Sequence, residues 1–356
     1  MDRGIRFLHP GYECPFNVLL ILPRTDPIPR PVEEISPFKS NWGISHATAL
    51  VACQIIANNR FDGFFSQDPE GTRRIHIDNV PLLEHNEYYF IVPGPGNTIL
   101  VPFSIGKKVV NGNLQPYPVV PSFQDWAFPH NSIPSAWRSV AEASTSVVPA
   151  GTNRSREVPI SRCPISNVTW SRQLCHLVPQ NERPWYQFNA MDMYQAASVN
   201  SSIDGSANRC YFRSDVCTAL DQFIFALVPR ENGYQVHALQ DWGPWAEFAA
   251  EFHGQTFHGQ VKAEFLFARF AAAVFSLFKP FITNPEVRRR VARRRPRSLG
   301  ESSSPMFSIK VEWMTGKELC SEYAEADEED DDDSVGSDSS GLWMSRYVRP
   351  KRYYAP

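Results

Sequence analysis

No Cys-x-x-Cys pair occurs anywhere in the 356 residues. The seven cysteines, at positions 14, 53, 163, 175, 210, 217 and 320, are scattered and odd in number, a poor disulfide framework and a poor zinc ribbon. A long uncharged apolar run is also missing. The most apolar stretch, Ala263 to Ile282, is interrupted by Glu264, Arg269 and Lys279. Only the nine residues Phe270 to Phe278 run without charge, far short of the ~20 a membrane span needs. Met1 to Pro10 is charged and has no apolar signal-peptide core. These absences predict a soluble protein with no membrane partner, in a reducing intracellular compartment, nucleus or cytoplasm. There is no repeat of fixed period. The formal net charge is only -3, so nucleic-acid contact would have to come from a local patch.

What is present supports a packed core: 42% hydrophobic and 13% aromatic residues. Thirty prolines argue against a long helical bundle. The length suits about two domains with tails. Residues 1–138 hold short β-rich runs (Val18 to Leu22, Arg74 to Ile77, Tyr88 to Val92, Thr98 to Val101) and one helical segment, Ser45 to Asn58, with Ser45 as N-cap. Residues 139–160 are poor in large side chains and read as a linker. Residues 161–282 read as strand, strand, helix, loop, short helix, hairpin and two helices. Phe265, Phe267, Phe270, Phe275 and Phe278 surround most of the last helix, which predicts its burial between the two modules. Residues 283–356 carry a basic run, Arg288 to Arg297, and an acidic run, Glu325 to Asp333, and read as a disordered charged tail. The basic run suits a nuclear import signal, a phosphate-tracking arm or a solvated tail.

The chemistry concentrates between Arg162 and Pro229. His176 lies in a short apolar strand closed by Pro179, and an imidazole titrates near neutrality, as a general base requires. Asn208 lies in the turn-rich stretch DGSAN. Ser214 and Asp215 open a short helix that places Cys217 and Asp221 four residues apart on one face. Asp221 is a hard oxygen ligand for a divalent cation. Arg213 suits either a phosphate clamp or an ion pair. Asp215 suits a helix cap. Trp185, Met191 and Tyr194 are core candidates at helical spacing. His253 and His258 read as surface histidines rather than a metal pair.

The order RCPISNVTWSRQLCHLVP, ERPWYQFNAMDMY, SIDGSANRCYFRSDVCTALDQFIFALVP resembles the HNH nuclease domain of many fungal proteins. The pattern is carried by Cys163, Ser166, His176, Leu177, Val178, Pro179, Glu182, Trp185, Asn189, Met191, Tyr194, Ile203, Asn208, Arg213, Asp215, Asp221, Phe225 and Pro229. ACQIIANNRFDGFF, NEYYFIVP and YPVVPSFQDWAFPHNSIP extend the resemblance to roughly residues 10–282. It implies an α+β protein: a β-rich N-terminal module, then a ββα-metal module with C-terminal helices and a disordered tail. It implies metal-dependent cleavage of phosphodiester bonds, in DNA ahead of RNA. His176 would be the general base, Asn208 the loop-fixing amide, Asp221 and Cys217 the metal positions and Arg213 a substrate contact.

Mg²⁺ or Mn²⁺ is the family's expected metal. Cys217, however, stands where the family has its last histidine. A thiolate there would turn preference toward Zn²⁺, leave a weaker site on Asp221, or mark an inactive descendant that binds nucleic acid or a protein partner. Cys175 adds a second sulfur but alternates with His176 along the strand, so the two side chains should face opposite ways.

Overall fold

The computed structural model describes residues 4–29, 41–94, 116–138, 162–195, 202–296 and 307–328. The expected strand at Thr98 to Val101, the linker at 139–160 and the chain beyond 328 lie outside the described residues. The N-terminal part runs β1 (Gly4–Leu8), β2 (Val18–Pro23), β3 (Asp26–Pro27), β4 (Trp42–Ser45), α1 (His46–Ile56), β5 (Phe64–Ser66), β6 (Arg74–Ile75), β7 (Leu82–Leu83) and β8 (Glu87–Ile91). One sheet has the order β2-β1-β8-β5-β6, with β1 parallel to β8 and the other pairs antiparallel. A smaller sheet has the order β3-β4-β7. Ser45 caps α1 as expected, its hydroxyl accepting the Thr48 N–H at 3.4 Å.

Then come β9 (Arg172–His176), α2 (Arg183–Phe188), β10 (Arg209–Arg213), α3 (Ser214–Asp221), β11 (Phe225–Arg230), β12 (Gly233–Ala238), α4 (Trp245–Phe252) and α5 (Ala263–Ile282). The architecture is mixed α and β, as expected. The element order differs in one respect: only one strand precedes α2. The antiparallel partner of β9 is β10, beyond α2 and its following loop, with His176 opposite Arg209 and Cys175 opposite Cys210. Periodicity reports which residues form a strand, not which distant strand closes on it.

Helix α5 packs against α1, β2 and β11. Its phenylalanines at 265, 267, 270, 275 and 278 are all buried, in one core that takes side chains from both halves of the described chain. α5 is long and apolar enough to cross a membrane, yet 78% of that window is buried inside the protein, and this burial accounts for its composition. Within α5, Arg269 is 2% exposed. Its guanidinium donates to the Leu177 and Leu220 carbonyls and lies 4.5 Å from the Phe223 ring centroid. It thereby joins the exit of β9 to the end of α3.

The expected disorder from residue 283 is corrected in part. β13 (Arg288–Pro296) pairs with β14 (Phe307–Thr315), and α6 (Gly316–Glu328) follows. The basic run is a strand, not a free arm. Arg289 stacks on Phe281 at 3.6 Å and on Tyr12 at 4.5 Å. Arg290 donates to the Pro116 carbonyl, Arg293 pairs with Glu322, and Arg294 reaches the Asn189 amide oxygen. Charge density alone predicts solvation, but aromatic rings and acceptors distant in sequence hold these guanidinium groups in the fold.

Candidate active site

β9 alternates as a strand must. Cys175 turns inward, 3% exposed, while the His176 side chain stays partly accessible at 21%. His176 Nε2 lies 3.0 Å from Asp204 Oδ1. Asp204 is held in turn by Arg183 at 3.0 Å on Oδ2 and by Gln180 at 3.4 Å. The Arg183 hydrogen bond, with His176 as a further contributor, holds the Asp204 carboxyl below its ordinary range. An ionised carboxylate must receive a proton, so Nε2 carries it and Nδ1 keeps the free lone pair.

The turn that presents Asp204 is closely fitted. Gly205 approaches Gln195 so tightly that an added Cβ would sit 2.4 Å from its carboxamide. Asn208 is fully buried. Its Oδ1 accepts the Val178 N–H at 2.8 Å, and its Nδ2 donates to the carbonyls of Val178 at 3.1 Å and Ile203 at 2.8 Å. The Asn208 backbone carbonyl accepts the Leu177 N–H at 2.8 Å. One side chain thus fastens the exit of β9 to the loop bearing Asp204, and so fixes both partners of the His176–Asp204 pair.

α3 meets the expectation for position but not for Cys217 as a ligand. Cys217 is joined to Cys175 in a disulfide, so its sulfur offers no thiolate to a metal. The seven scattered cysteines therefore do form one bond, and it ties β9 to α3 on the side of the strand away from His176. The inward turn of Cys175 ruled out a shared site with His176 and at the same time brought Cys175 to Cys217. The chain between them closes a loop of sequence separation 42. Constraining such a loop in the unfolded chain stabilises by about 4 kcal/mol. Replacing both cysteines by serine, or adding dithiothreitol, is expected to lower stability by that amount; superimposable melts would contradict this.

Asp221 Oδ2 is 3.9 Å from Cys217 Sγ. Desolvation raises the Asp221 carboxyl, against the opposing fields of Arg269 and His176. Arg213 is not a free cation. It forks onto Asp215 at 2.7 and 2.6 Å, contacts Glu251 at 3.3 Å and sits over the Phe252 ring. Asp215 lies in the first turn of α3 rather than at the cap, where it accepts both Arg213 and the Val216 N–H. Trp185 and Met191 are core residues as expected, and Trp185 stacks parallel to Trp126 at 5.7 Å.

The chain matches no protein-family model, no curated protein and no solved structure.

Two places bring metal-donor atoms together or present one alone. At α3, Asp221 offers one carboxylate, an oxygen donor of the kind a Mg²⁺ or Mn²⁺ ion takes. It does not suit a zinc ion expecting a thiolate at 217. The second place is Asp26, His237 and His253, whose donor atoms lie within 4.8 Å of one another. Here the residues do not fit a metal. His253 Nδ1 accepts the Ala238 N–H at 3.2 Å, so its proton sits on Nε2, which points at Asp26 Oδ1 at 3.2 Å. The Arg230 cation lies 3.6 Å from Asp26 and 3.4 Å from His237 Nδ1. The group is a buried ion-pair network joining β3 to the β11–β12 hairpin, with His253 engaged and His258 outside it.

Asp204 was missed in the sequence because SIDGS reads as an ordinary turn. The available signal was an acidic residue four positions before Asn208. In the sequence, Arg269 marks only an interruption of an apolar helix.

Proposed function

We propose that the chain is an HNH-type endonuclease that hydrolyses phosphodiester bonds in DNA, ahead of RNA. The observation that carries the reading is the His176–Asp204 pair held by Asn208. The imidazole is accessible, its tautomer is set by a carboxylate, and its strand exit is fixed by a buried amide. His176 Nδ1 takes the proton of a water molecule as its oxygen attacks phosphorus. The P–O bond to the departing sugar oxygen breaks, and that oxygen takes up a proton from solvent. Asp204 stabilises the imidazolium formed at His176, as an orienting carboxylate does beside any histidine base. A divalent ion on Asp221, when bound, supplies charge neutralisation at the phosphate.

Asp204→Asn removes the charge and the demand that Nε2 carry the proton. It is expected to lower the cleavage rate by about 10²-fold at saturating substrate while leaving the fold intact. Unchanged rate in Asp204→Asn would remove the carboxylate from the mechanism.

A second reading is favoured by one specific feature. The disulfide occupies Cys217, where the family has a metal histidine, and this suits a descendant that binds nucleic acid without cutting it. Incubating supercoiled plasmid with Mg²⁺ or Mn²⁺ and either wild type or His176→Ala separates the two. Nicking by wild type and not by the variant supports the nuclease. Equal traces for both, with plasmid still retarded on a gel, support the binding protein.

A further inference from the structure

A cavity of about 840 Å³ lies beside β10, between that strand, the 162–167 turn and the 255–259 loop. Its size is within the range of small-ligand sites. Arg162, Arg209 and His258 line it together with Ser166, Tyr211 and Gln255, and no carboxylate is among its lining residues. Its polar side chains can all donate, and among the described residues no acidic side chain lines the wall. Two of them are left over. Arg209 forms no ion pair or side-chain hydrogen bond among the described residues, and its Nε is buried without a partner. The Ser166 hydroxyl is also buried, with no hydrogen-bond partner among the described residues. An arginine with no carboxylate partner, in a cavity lined by no described carboxylate, suits a ligand that brings acceptor oxygens.

The place of Arg209 narrows the ligand. It is the cross-strand partner of His176, so the two side chains share a face of the hairpin. Tyr211, 46% exposed, stands two residues further along the same face and offers a ring for stacking. Arg213, which suits a phosphate clamp or an ion pair from sequence, is engaged by Asp215 and Glu251, whereas Arg209 meets no carboxylate among the described residues.

We propose that this cavity binds a phosphate group of a nucleic-acid strand, next to the one that reaches His176, with Arg209 as its cation and Tyr211 as the stacking surface for the attached base. This rests on the nuclease reading for the identity of the strand, but not for the existence of the anion site. The phosphate belongs either to a strand or to a free nucleotide, and the two are separable by competition.

The test is fluorescence anisotropy of a 5′-fluorescein oligothymidylate with wild type, Arg209→Gln and Arg209→Lys, with folding of each checked by circular dichroism. Thymidine 5′-monophosphate, thymidine and inorganic phosphate serve as competitors. Arg209→Gln is expected to weaken binding about tenfold and to reduce the salt slope by about one ion, with Arg209→Lys in between. Displacement by thymidine 5′-monophosphate or inorganic phosphate but not by thymidine supports a phosphate site. If the monophosphate alone binds at the affinity of the oligomer, the site belongs to a free nucleotide and the strand assignment falls. Equal affinity and salt slope in wild type and Arg209→Gln overturn the proposal. Plasmid cleavage by the same proteins keeps the two claims apart. Cleavage with Arg209-independent binding sinks only the cavity, and Arg209-dependent binding without cleavage sinks only the nuclease.

Discussion

Lowering the pH from 7 to 4.5 is expected to cost the folded protein about 5 kcal/mol, enough to unfold a domain of ordinary stability. The cause is two histidines sealed in the core, His9 and His237, both 0% exposed. His9 stacks on Tyr117 at 3.8 Å and bonds its carbonyl, while His237 lies against Arg230 and Asp26. Burial pushes both imidazoles down to about 3. In the unfolded chain each titrates near ~6.5. Between those two values the unfolded state holds more protons than the folded state, so stability falls as pH falls. The stability is fully present above the unfolded value. Each group contributes a slope of about 1.4 kcal/mol per pH unit across the window. His46 and His130 are lowered by burial in the same direction. Asp26 is held below its ordinary value despite its burial, by His253, His237 and Arg230, so its contribution is lost only in stronger acid. Urea denaturation at half-unit steps from pH 7 to 4.5 measures the slope. His237→Gln should leave roughly half of it. A flat wild-type profile over this range would mean that the two rings are hydrated.

The second large effect lies at Asn208. Asn208→Ala removes three hydrogen bonds and leaves the Val178 N–H and the carbonyls of Val178 and Ile203 without their partner in a fully buried position. Each stranded backbone group costs about 1–3 kcal/mol, so a total loss of about 3–5 kcal/mol is expected. The same change frees the loop carrying Asp204, so cleavage should fall even at temperatures where the variant is folded. Asn208→Asp tests the donor side separately, since a carboxylate cannot donate to the two carbonyls. Unfolding free energies within ~0.5 kcal/mol of wild type by denaturant titration would show that water replaces the amide at no cost.

Much of this was legible in the chain, for local reasons. Ser45 ahead of an apolar periodic run marked α1, and the short strands at Val18 and Tyr88 declared themselves by β-rich composition between turns. The phenylalanines of α5 announced a helix buried on several faces. His176, Asn208 and Asp221 were visible as a pattern, and the structure places the first two at one loop junction. Long-range partners were not legible. Cys175 and Cys217 are separated by 42 positions and meet only because β9 packs its inward face against α3. Arg289 looks like part of a solvated cationic run until Tyr12 and Phe281 close around it. Arg213 and Arg209 are equivalent in sequence, yet carboxylates engage the first and leave the second facing a cavity.

Cleavage in H₂¹⁸O tests the central claim most directly, because it follows the oxygen that His176 is said to activate. Wild type with Mg²⁺ or Mn²⁺ should yield fragments carrying one ¹⁸O in the new terminal phosphate by mass spectrometry, and His176→Ala, shown to be folded, should yield none above the no-enzyme control. Label incorporated to the same extent by both proteins, or by neither, would contradict a water-activating role for that imidazole.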